Sequence, residues 1–560
     1  MRLARVIPQW AWAFSLYVGI AIATIGRGAV LHPASVCACS NSAPDPTIFM
    51  WSLAWWPHAI AQGLNPFVAN VIAPPGGANV AAGTTIPAAA IAMWPVTALF
   101  GPFVSFNVLA ILGPPLCGLT AYLLCRRLSA HNSASLTGGF LFGFSSYELS
   151  QSLGHTHLTL VFLIPVMVHL ALRRFAGELS RRRFIAVLAT VFVFQALLST
   201  EILFDAVLIG ASSLVIAYYC FPRSTRGSID TLAREIAIAG IAALLLLLPY
   251  FWAALAEAPI TRGGNTFGLD ALNLVLPTRI TWLGGQLLHS VSATFERGNN
   301  WEAGGYLSLP LLIALGVFTR TTWRTERTTR LLVYTFAVSV VLALGSPLHV
   351  AGHQLIALPW SLLQELPLFP GLVPSRIMVF AELILAVCVA IWLSRPSLHS
   401  GRRWLIASLG VVALFPNVAG AWWSSRPTNP SFFRTTEYRH RLAHGENVLI
   451  IPAGMFGNSM LWQAETDFYF TMPDGYVPAV NAVAPQDVQA TVAIYAGSIR
   501  GAHIETSAAP VIQAFLHEHR IHHIIIEPRY QQAWSTVLDR IATRPQRLGG
   551  ILLYTVKGSS

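Results

Sequence analysis

Apolar runs of about 17–25 residues recur along most of this chain, and a helix needs that length to cross the hydrocarbon core of a bilayer. The composition agrees with this interpretation. Of the 560 residues, 54% are hydrophobic and 11% are charged, whereas a soluble globular protein carries about a quarter charged residues. The sequence therefore predicts a polytopic α-helical membrane protein, with the lipid bilayer as a partner.

The positions of the charges are more informative than their sum. The formal net charge is +11, but the arginines lie in short hydrophilic loops between apolar runs, as the positive-inside rule expects of cytoplasmic loops. They form no continuous basic patch, so we expect no nucleic-acid partner. Arg2 and Arg5 precede the first apolar run. We interpret that run as an uncleaved helix with a cytoplasmic N-terminus rather than a signal peptide.

The alternation of basic loops predicts about eleven transmembrane helices in residues 1–424, in a multi-pass arrangement with every strongly basic loop cytoplasmic. The first extracytoplasmic loop covers residues 34–105. Its apolar segment TTIPAAAIAMWPVTALFG is interrupted by two prolines, and a crossing there would place Arg126 and Arg127 outside. We therefore interpret this segment as a helix lying in the membrane interface.

After Ser424 the long apolar runs give way to short ones. NVLIIP, IHHIIIEP and GILLYTV are strand-like, whereas APVIQAFLHEHR and YQQAWSTVLDRIAT have helical spacing. This pattern predicts a small extracytoplasmic α/β domain at residues 425–560, with a parallel strand unit. It contains no glycine-rich phosphate loop, which argues against the common nucleotide-binding folds.

The cysteines do not indicate a metal site. The sequence has no CxxC motif and no Cys/His metal spacing. Cys37 and Cys39 lie in the predicted outer loop, but a disulfide between them would close a small and strained ring. We therefore predict neither a bridge there nor a bound metal.

Polar side chains gather at the predicted outer ends of the spans, which indicates an outward-facing active site or cavity. Acids at such ends are often merely solvated. Arg376 lies there against the topological bias, and it either clamps a phosphate bidentately or pairs with a structural carboxylate. The residues that we expect to bind substrate or donor are His58, Asn65, Glu148, His155, Glu201, Glu302 and Arg376.

Asp45 stands at the head of the tryptophan-rich segment DPTIFMWSLAWWPHAIAQ. An aspartate followed by proline is a natural helix start, because the carboxylate caps free amides and proline suits the first turn. The same carboxylate could take a proton from a positioned hydroxyl group. The spacing of Trp51, Trp55 and His58 predicts a helix on the membrane surface, with its tryptophans as interface anchors.

The outer loop that opens on an acid, and the paired arginines in AYLLCRRL, resemble the GT-C superfamily of membrane glycosyltransferases. APPGGANVA, LFGFSSYELSQSLGH, STE, EAGGYLSLPLL and NSMLWQAE are also similar to bacterial membrane proteins placed near that superfamily. The resemblance implies a GT-C-like fold in the bacterial inner membrane and a polyprenyl-phosphate-linked sugar donor. It also implies transfer outside the membrane, to a glycan, lipid or protein acceptor, with inversion at the sugar carbon.

By position, Asp45 matches the general base that the resemblance implies. Pro44 and Pro46 flank it where many members of the superfamily have a second acid. The sequence therefore supports no metal cofactor, and a divalent metal is the open alternative.

Two other functions stay open beside a glycosyltransferase. A transporter or flippase for a lipid-linked sugar predicts internal repeats and polar residues in the middle of spans, and the sequence shows neither clearly. A non-catalytic envelope scaffold of the same fold is consistent with an acid that lacks a neighbouring acid.

Overall fold

The structure is a computed structural model that describes residues 8–40, 45–256, 267–295, 301–366, 369–479 and 483–558. Arg2, Arg5 and Pro44 lie outside these residues. The helices of the first part of the chain are α1 (Gln9–Ala23), α2 (Arg27–Leu31), α3 (Pro46–Ala61), α4 (Pro87–Ser129), α5 (Asn132–Gly143), α6 (Ser146–Gln151), α7 (Thr156–Thr159), α8 (Leu163–Phe175), α9 (Arg181–Leu198), α10 (Thr200–Cys220), α11 (Arg223–Leu255), α12 (Trp282–Gln286), α13 (His289–Ser292), α14 (Leu309–Thr322), α15 (Arg327–Ala343), α16 (Trp360–Leu363), α17 (Met378–Ser394) and α18 (Ser400–Ala413).

A helix lies at the position of each apolar run that the sequence analysis interpreted as a span. In the described part of the chain, five helical segments are long and apolar enough to cross a membrane by length and composition. They are Pro87–Ser129, Thr156–Phe175, Thr200–Cys220, Arg223–Leu255 and Pro374–Ser394. The other predicted spans correspond to shorter helices, so the number of about eleven stays a prediction.

The helix α17 lies at the centre of this helical part. It packs against α4, α5, α14 and α15, and most of its side chains are buried. By contrast, few of the apolar side chains of α10 and α11 are buried. A helix that is apolar on all sides is either buried in protein or surrounded by lipid, so the burial pattern agrees with a membrane protein.

The helix α4 contains both the segment predicted to lie in the interface and the predicted second span. The two halves meet at a kink at Gly101, whose φ of 83° is in the left-handed region that glycine adopts without a Cβ clash. Leu99 and Phe100, just before the kink, are 75% and 64% exposed. The regular helix is therefore interrupted near the point where the sequence analysis separated the two segments.

The C-terminal part contains α19 (Ser431–Arg434), α20 (Ser459–Glu465), α21 (Val488–Ala496), α22 (Ala509–Glu518) and α23 (Gln531–Ile541). The described strands are β1 (Val68–Ala69), β2 (Ala78–Asn79), β3 (His349–Val350), β4 (His353–Gln354), β5 (Val448–Ile451), β6 (His523–Ile526), β7 (Gln546–Leu548) and β8 (Ile551–Thr555). The last four form one sheet in the order β5-β6-β8-β7, in which β5 and β6 are parallel and the other pairs antiparallel. Strands β5, β6 and β8 and helices α22 and α23 lie at the runs read from the sequence.

The tryptophans of α3 are buried in protein, so their interpretation as interface anchors is wrong. Trp51, Trp55 and Trp56 are 0%, 1% and 4% exposed. The indole N–H of Trp51 donates to Oε1 of Gln463 at 2.8 Å, and that of Trp55 donates to the carbonyl of Pro66 at 3.0 Å. The helix packs against α4 and α20, so the C-terminal part covers a face that the spacing alone assigned to lipid.

Cys37 and Cys39 are joined in a disulfide, contrary to the expectation from ring size. The N–H of Cys37 donates to the carbonyl of Ser425 at 2.8 Å, and the N–H of Ser425 donates to the carbonyl of Cys37 at 3.1 Å. This pair of hydrogen bonds joins the start of the predicted outer loop to the start of the C-terminal part.

Residues 472–479, which we call the strap, connect the C-terminal part with the loop that follows α3. At one end, the N–H of Ala73 donates to the carbonyl of Met472 at 2.8 Å. At the other end, the N–H of Asn79 donates to the carbonyl of Pro478 at 2.7 Å. The strap is therefore held at both ends by backbone hydrogen bonds to the loop that carries β1 and β2.

Candidate active site

Asp45 begins α3 with its backbone, while its side chain contacts other elements. Its carbonyl accepts the N–H of Ile48 at 3.0 Å, but its carboxylate makes no capping hydrogen bond. Instead, Oδ1 accepts the hydroxyl of Tyr476 at 2.8 Å, and Oδ2 lies 3.3 Å from Nε2 of His155. The side chain is 19% exposed. Asp45 therefore starts the helix without using its carboxylate, which stays accessible.

His155 precedes α7 and connects Asp45 with further polar groups. Its Nδ1 lies 2.7 Å from Oε1 of Gln151 and 3.7 Å from Oε1 of Glu302, and its ring meets that of Trp301 edge-on. Burial lowers the pKa of His155, although the carboxylates of Glu302 and Asp45 oppose this shift. The imidazole is therefore neutral near neutral pH. A neutral ring that donates from Nδ1 to Gln151 presents the lone pair of Nε2 to Asp45.

Glu302 lies beside His155 because the glycines after it let the chain pass close to α6. A Cβ at Gly304 would lie 2.8 Å from Cα of Tyr147 in α6. The N–H of Gly305 donates to Oδ1 of Asn273 at 2.8 Å, which fixes the segment ahead of α14. The glycine pair of EAGGY thus allows a close approach that a larger residue would prevent.

Arg376 lies between two carboxylates. Its Nε and Nη2 donate to Oε1 of Glu302 at 3.1 and 2.7 Å, and its Nη1 donates to Oε2 of Glu201. The hydroxyl of Ser375 also donates to Glu302, at 2.8 Å, and the N–H of Val373 donates to Glu201 at 3.0 Å. Burial acts to raise the pKa of Glu302, but the Arg376 guanidinium, His155 and the Ser375 hydroxyl together outweigh it and hold that pKa below its usual value. Of the two roles considered for Arg376, the structure contains the pairing with carboxylates.

Five residues singled out in the sequence thus form one continuous chain of polar contacts, which we call the Asp45 cluster. Its members are Asp45, His155, Glu302, Arg376 and Glu201, with Tyr476 and Gln151 attached to it. Helices α3, α7, α10 and α17 all begin at this cluster. Because the N-terminal end of a helix favours negative charge, the arrangement suits carboxylates and also an anionic ligand.

The other three predicted binding residues lie outside the Asp45 cluster. Glu148 is completely buried in α6, where its carboxylate lies beside the thiol of Cys117 rather than at the Asp45 cluster. Nδ1 of His58 lies 2.9 Å from Oδ1 of Asp467 in the C-terminal part. Oδ1 of Asn65 accepts the N–H of Phe67 at 3.0 Å in an exposed turn. We assign no reacting role to these three residues.

Tyr476 and Gln151 were not singled out in the sequence. Tyr476 is 431 positions from Asp45, and no local pattern connects the two residues. Gln151 precedes His155 by four positions, which is about one helical turn. A search for polar pairs at that spacing would have found it.

Within residues 8–558, and leaving aside the gaps named above, no three His, Cys, Asp or Glu side chains are arranged so that they could hold a metal ion. Asp45 has a histidine and a tyrosine beside it rather than a second carboxylate. The absence of a metal cofactor stays a prediction, and no step below is assigned to a metal.

The sequence profile of a family described as a domain of unknown function, DUF6311, matches residues 16–371. No curated protein is similar to the chain in sequence.

Solved structures with a similar fold are membrane glycosyltransferases. The oligosaccharyltransferase of Archaeoglobus fulgidus in the apo form is 11% identical, with a TM-score of 0.56 over 98% of this chain and 74% of that chain. The arabinofuranosyltransferase AftD from Mycobacteria is 15% identical, with a TM-score of 0.56 over 98% of this chain and 41% of that chain. ArnT from Cupriavidus metallidurans, bound to undecaprenyl phosphate, is 11% identical, with a TM-score of 0.53 over 98% of each chain. These three neighbours are GT-C glycosyltransferases, and at these identities the likeness shows the fold alone.

Proposed function

The chain belongs to the DUF6311 family, and we propose that it is a membrane glycosyltransferase that moves a sugar from a polyprenyl-phosphate-linked donor to an acceptor hydroxyl. Transfer takes place on the extracytoplasmic side of the bacterial inner membrane and inverts the sugar carbon. The acceptor is a glycan, a lipid or a protein. The fold shared with three membrane glycosyltransferases supports this class of reaction.

The placement of the Asp45 carboxylate is the observation that carries the proposal. It is partly exposed and caps no helix. One of its oxygens accepts the hydroxyl of Tyr476, and the other faces Nε2 of His155. As general base, Asp45 takes the proton of the acceptor hydroxyl while the acceptor oxygen bonds to the anomeric carbon. The bond between that carbon and the phosphate oxygen breaks, and its electron pair leaves with the polyprenyl phosphate.

Neutral His155 provides a place for the transferred proton. Its Nε2 lies 3.3 Å from Oδ2 of Asp45 and carries a lone pair when Nδ1 donates to Gln151. The proton can pass from Asp45 to Nε2, which restores the carboxylate for the next acceptor. His155 then releases the proton to solvent or to the departing product.

The leaving phosphate needs cationic or hydrogen-bond stabilisation. Arg376 uses three of the five N–H groups of its guanidinium on carboxylates, which leaves two for a phosphate oxygen. Helices α10 and α17 also begin at the cluster, and helix N-termini bind phosphates. ArnT is bound to undecaprenyl phosphate in a similar fold, which supports a lipid-linked phosphate as the donor group here.

The proposal is tested by transfer in proteoliposomes. The purified protein is supplied with polyprenyl-phosphate sugars, and separately with nucleotide sugars, in the presence of glycan, lipid and peptide acceptors. We expect release of polyprenyl phosphate and a glycosylated acceptor from the lipid-linked donors alone. If no lipid-linked donor is consumed and undecaprenyl phosphate does not bind, the proposal fails and a scaffold role replaces it.

A further inference from the structure

The strap brings a residue of the C-terminal part to the candidate general base. Tyr476 lies between its two anchored ends, at Met472 and Pro478. A Cβ at Gly475 would lie 2.9 Å from Ile72, so the strap runs in close contact with the loop that follows α3. These backbone contacts fix the position of the Tyr476 main chain, from which its side chain extends toward Asp45.

The hydroxyl of Tyr476 donates a hydrogen bond to the carboxylate of Asp45. It lies 2.8 Å from Oδ1 of Asp45. Burial raises the pKa of Tyr476, and the Asp45 carboxylate raises it further. The phenol therefore keeps its proton at every pH at which the protein would work, and the hydrogen bond is between a neutral donor and a charged acceptor.

We propose that Tyr476 is a positioning residue, through which the C-terminal part orients the Asp45 carboxylate for proton abstraction. This inference rests on the proposed function and adds to it a role for the C-terminal part in the reaction itself. Tyr476 does not exchange the proton. It acts through Asp45.

Tyr476 can orient Asp45 because the two oxygens of the Asp45 carboxylate have different neighbours. Oδ1 is held by Tyr476 and Oδ2 faces Nε2 of His155, so rotation of the carboxylate would break the first contact. A hydrogen bond from a neutral donor also stabilises the ionised form over the carboxylic acid. Glu302 and Arg376 lie behind His155 and are unchanged by a substitution at Tyr476.

The test uses the full chain in detergent and the variant Tyr476→Phe, which removes one oxygen atom. Dicyclohexylcarbodiimide modifies protonated carboxyl groups, and mass spectrometry of peptides resolves modification at Asp45. We expect the pH of half-maximal labelling at Asp45 to rise by about one unit in the variant, because the carboxylate loses a charged hydrogen bond. In transfer assays kcat falls about tenfold and the KM for the donor stays unchanged.

Tyr469→Phe is the matched control. Its hydroxyl donates to the carbonyl of Leu442 at 3.4 Å, away from Asp45, so neither the labelling nor kcat changes. Labelling is measured in the folded, monodisperse fraction. An unchanged half-labelling pH in Tyr476→Phe overturns the inference, even if the variant unfolds at a lower temperature. Absence of transfer in the wild-type protein refutes the proposed function instead, and the labelling still decides whether Tyr476 controls Asp45.

Discussion

Arg376 is the residue of the Asp45 cluster that pairs with two carboxylates at once. Its side chain is 14% exposed and bonds to Glu201 and Glu302, which are 17% and 6% exposed. Removing one partner of such a pair leaves uncompensated buried charge, which costs about 3–5 kcal/mol. We expect Arg376→Gln to lower the free energy of unfolding by that amount, measured by denaturation in detergent.

The control for this prediction is Arg395→Gln. Arg395 pairs with Glu326 at 2.5 Å, but the two side chains are 28% and 41% exposed. Solvent screens such a pair, so its loss costs at most about 1 kcal/mol. Equal destabilisation by the two substitutions would contradict the central position of Arg376.

Sequence reasoning can find a single functional residue when its type is unusual for its position in the chain. Arg376 is a cation at the predicted outer end of a span, and Asp45 is an acid at the head of an aromatic segment. Both belong to the cluster. Tyr476 is not unusual among the residues around it in the sequence. Its contact with Asp45 depends on the path of the whole chain between them.

Among the elements, the strap contains a carboxyl group, that of Asp474, whose shifted pKa makes stability depend on pH. Burial raises the pKa of Asp474 to about 6, although the hydroxyl of Tyr495 donates to its Oδ2 at 2.7 Å. An unfolded aspartate has a pKa of about 3.9. The folded state therefore binds more protons than the unfolded state between about pH 4 and 6, and stability falls as the pH rises through that window.

We expect Asp474→Asn to remove the fall in stability between about pH 4 and 6, because asparagine keeps an acceptor oxygen for Tyr495 and does not ionise. Relative to the wild type, the variant is about 2–3 kcal/mol more stable at pH 7. It gains no such advantage at pH 4. Thermal unfolding at both pH values measures the difference, with the exposed Asp539→Asn as control. A variant that is no more stable than wild type at pH 7 would show that burial does not raise the pKa of Asp474 in the folded protein.

Hydropathy predicted the helices of the first part of the chain, and short apolar runs predicted strands β5, β6 and β8, because both patterns are local. The environment of α3 could not be predicted in the same way. An aromatic face looks the same in the sequence whether it meets lipid or protein. Here Gln463 of α20 bonds to Trp51, and Phe468, just after α20, packs edge-on against Trp51 and Trp55. Spacing specifies that a face is apolar, and tertiary contacts decide what covers it.

For the whole molecule, the arginine distribution predicts a cytoplasmic N-terminus and an extracytoplasmic C-terminal part. The prediction is tested in a Cys220→Ser background with single cysteines at two exposed serines, Ser224→Cys and Ser507→Cys. In intact spheroplasts, a membrane-impermeant maleimide should label position 507 at once and position 224 only after permeabilisation. The reverse order would place the Asp45 cluster on the cytoplasmic side and contradict transfer outside the membrane.

The central claim is that the Asp45 carboxylate is the base of a sugar transfer, and the rate of Asp45→Asn measures it most directly. Asparagine can still accept the Tyr476 hydroxyl and start α3, but it cannot take a proton. With a polyprenyl-phosphate sugar that the wild-type protein uses as donor, we expect the transfer rate of Asp45→Asn to be about 10²–10⁴-fold lower. Its donor binding and unfolding temperature stay close to those of the wild type. The control variant Asp539→Asn keeps full activity. Transfer by Asp45→Asn at the wild-type rate would contradict the account.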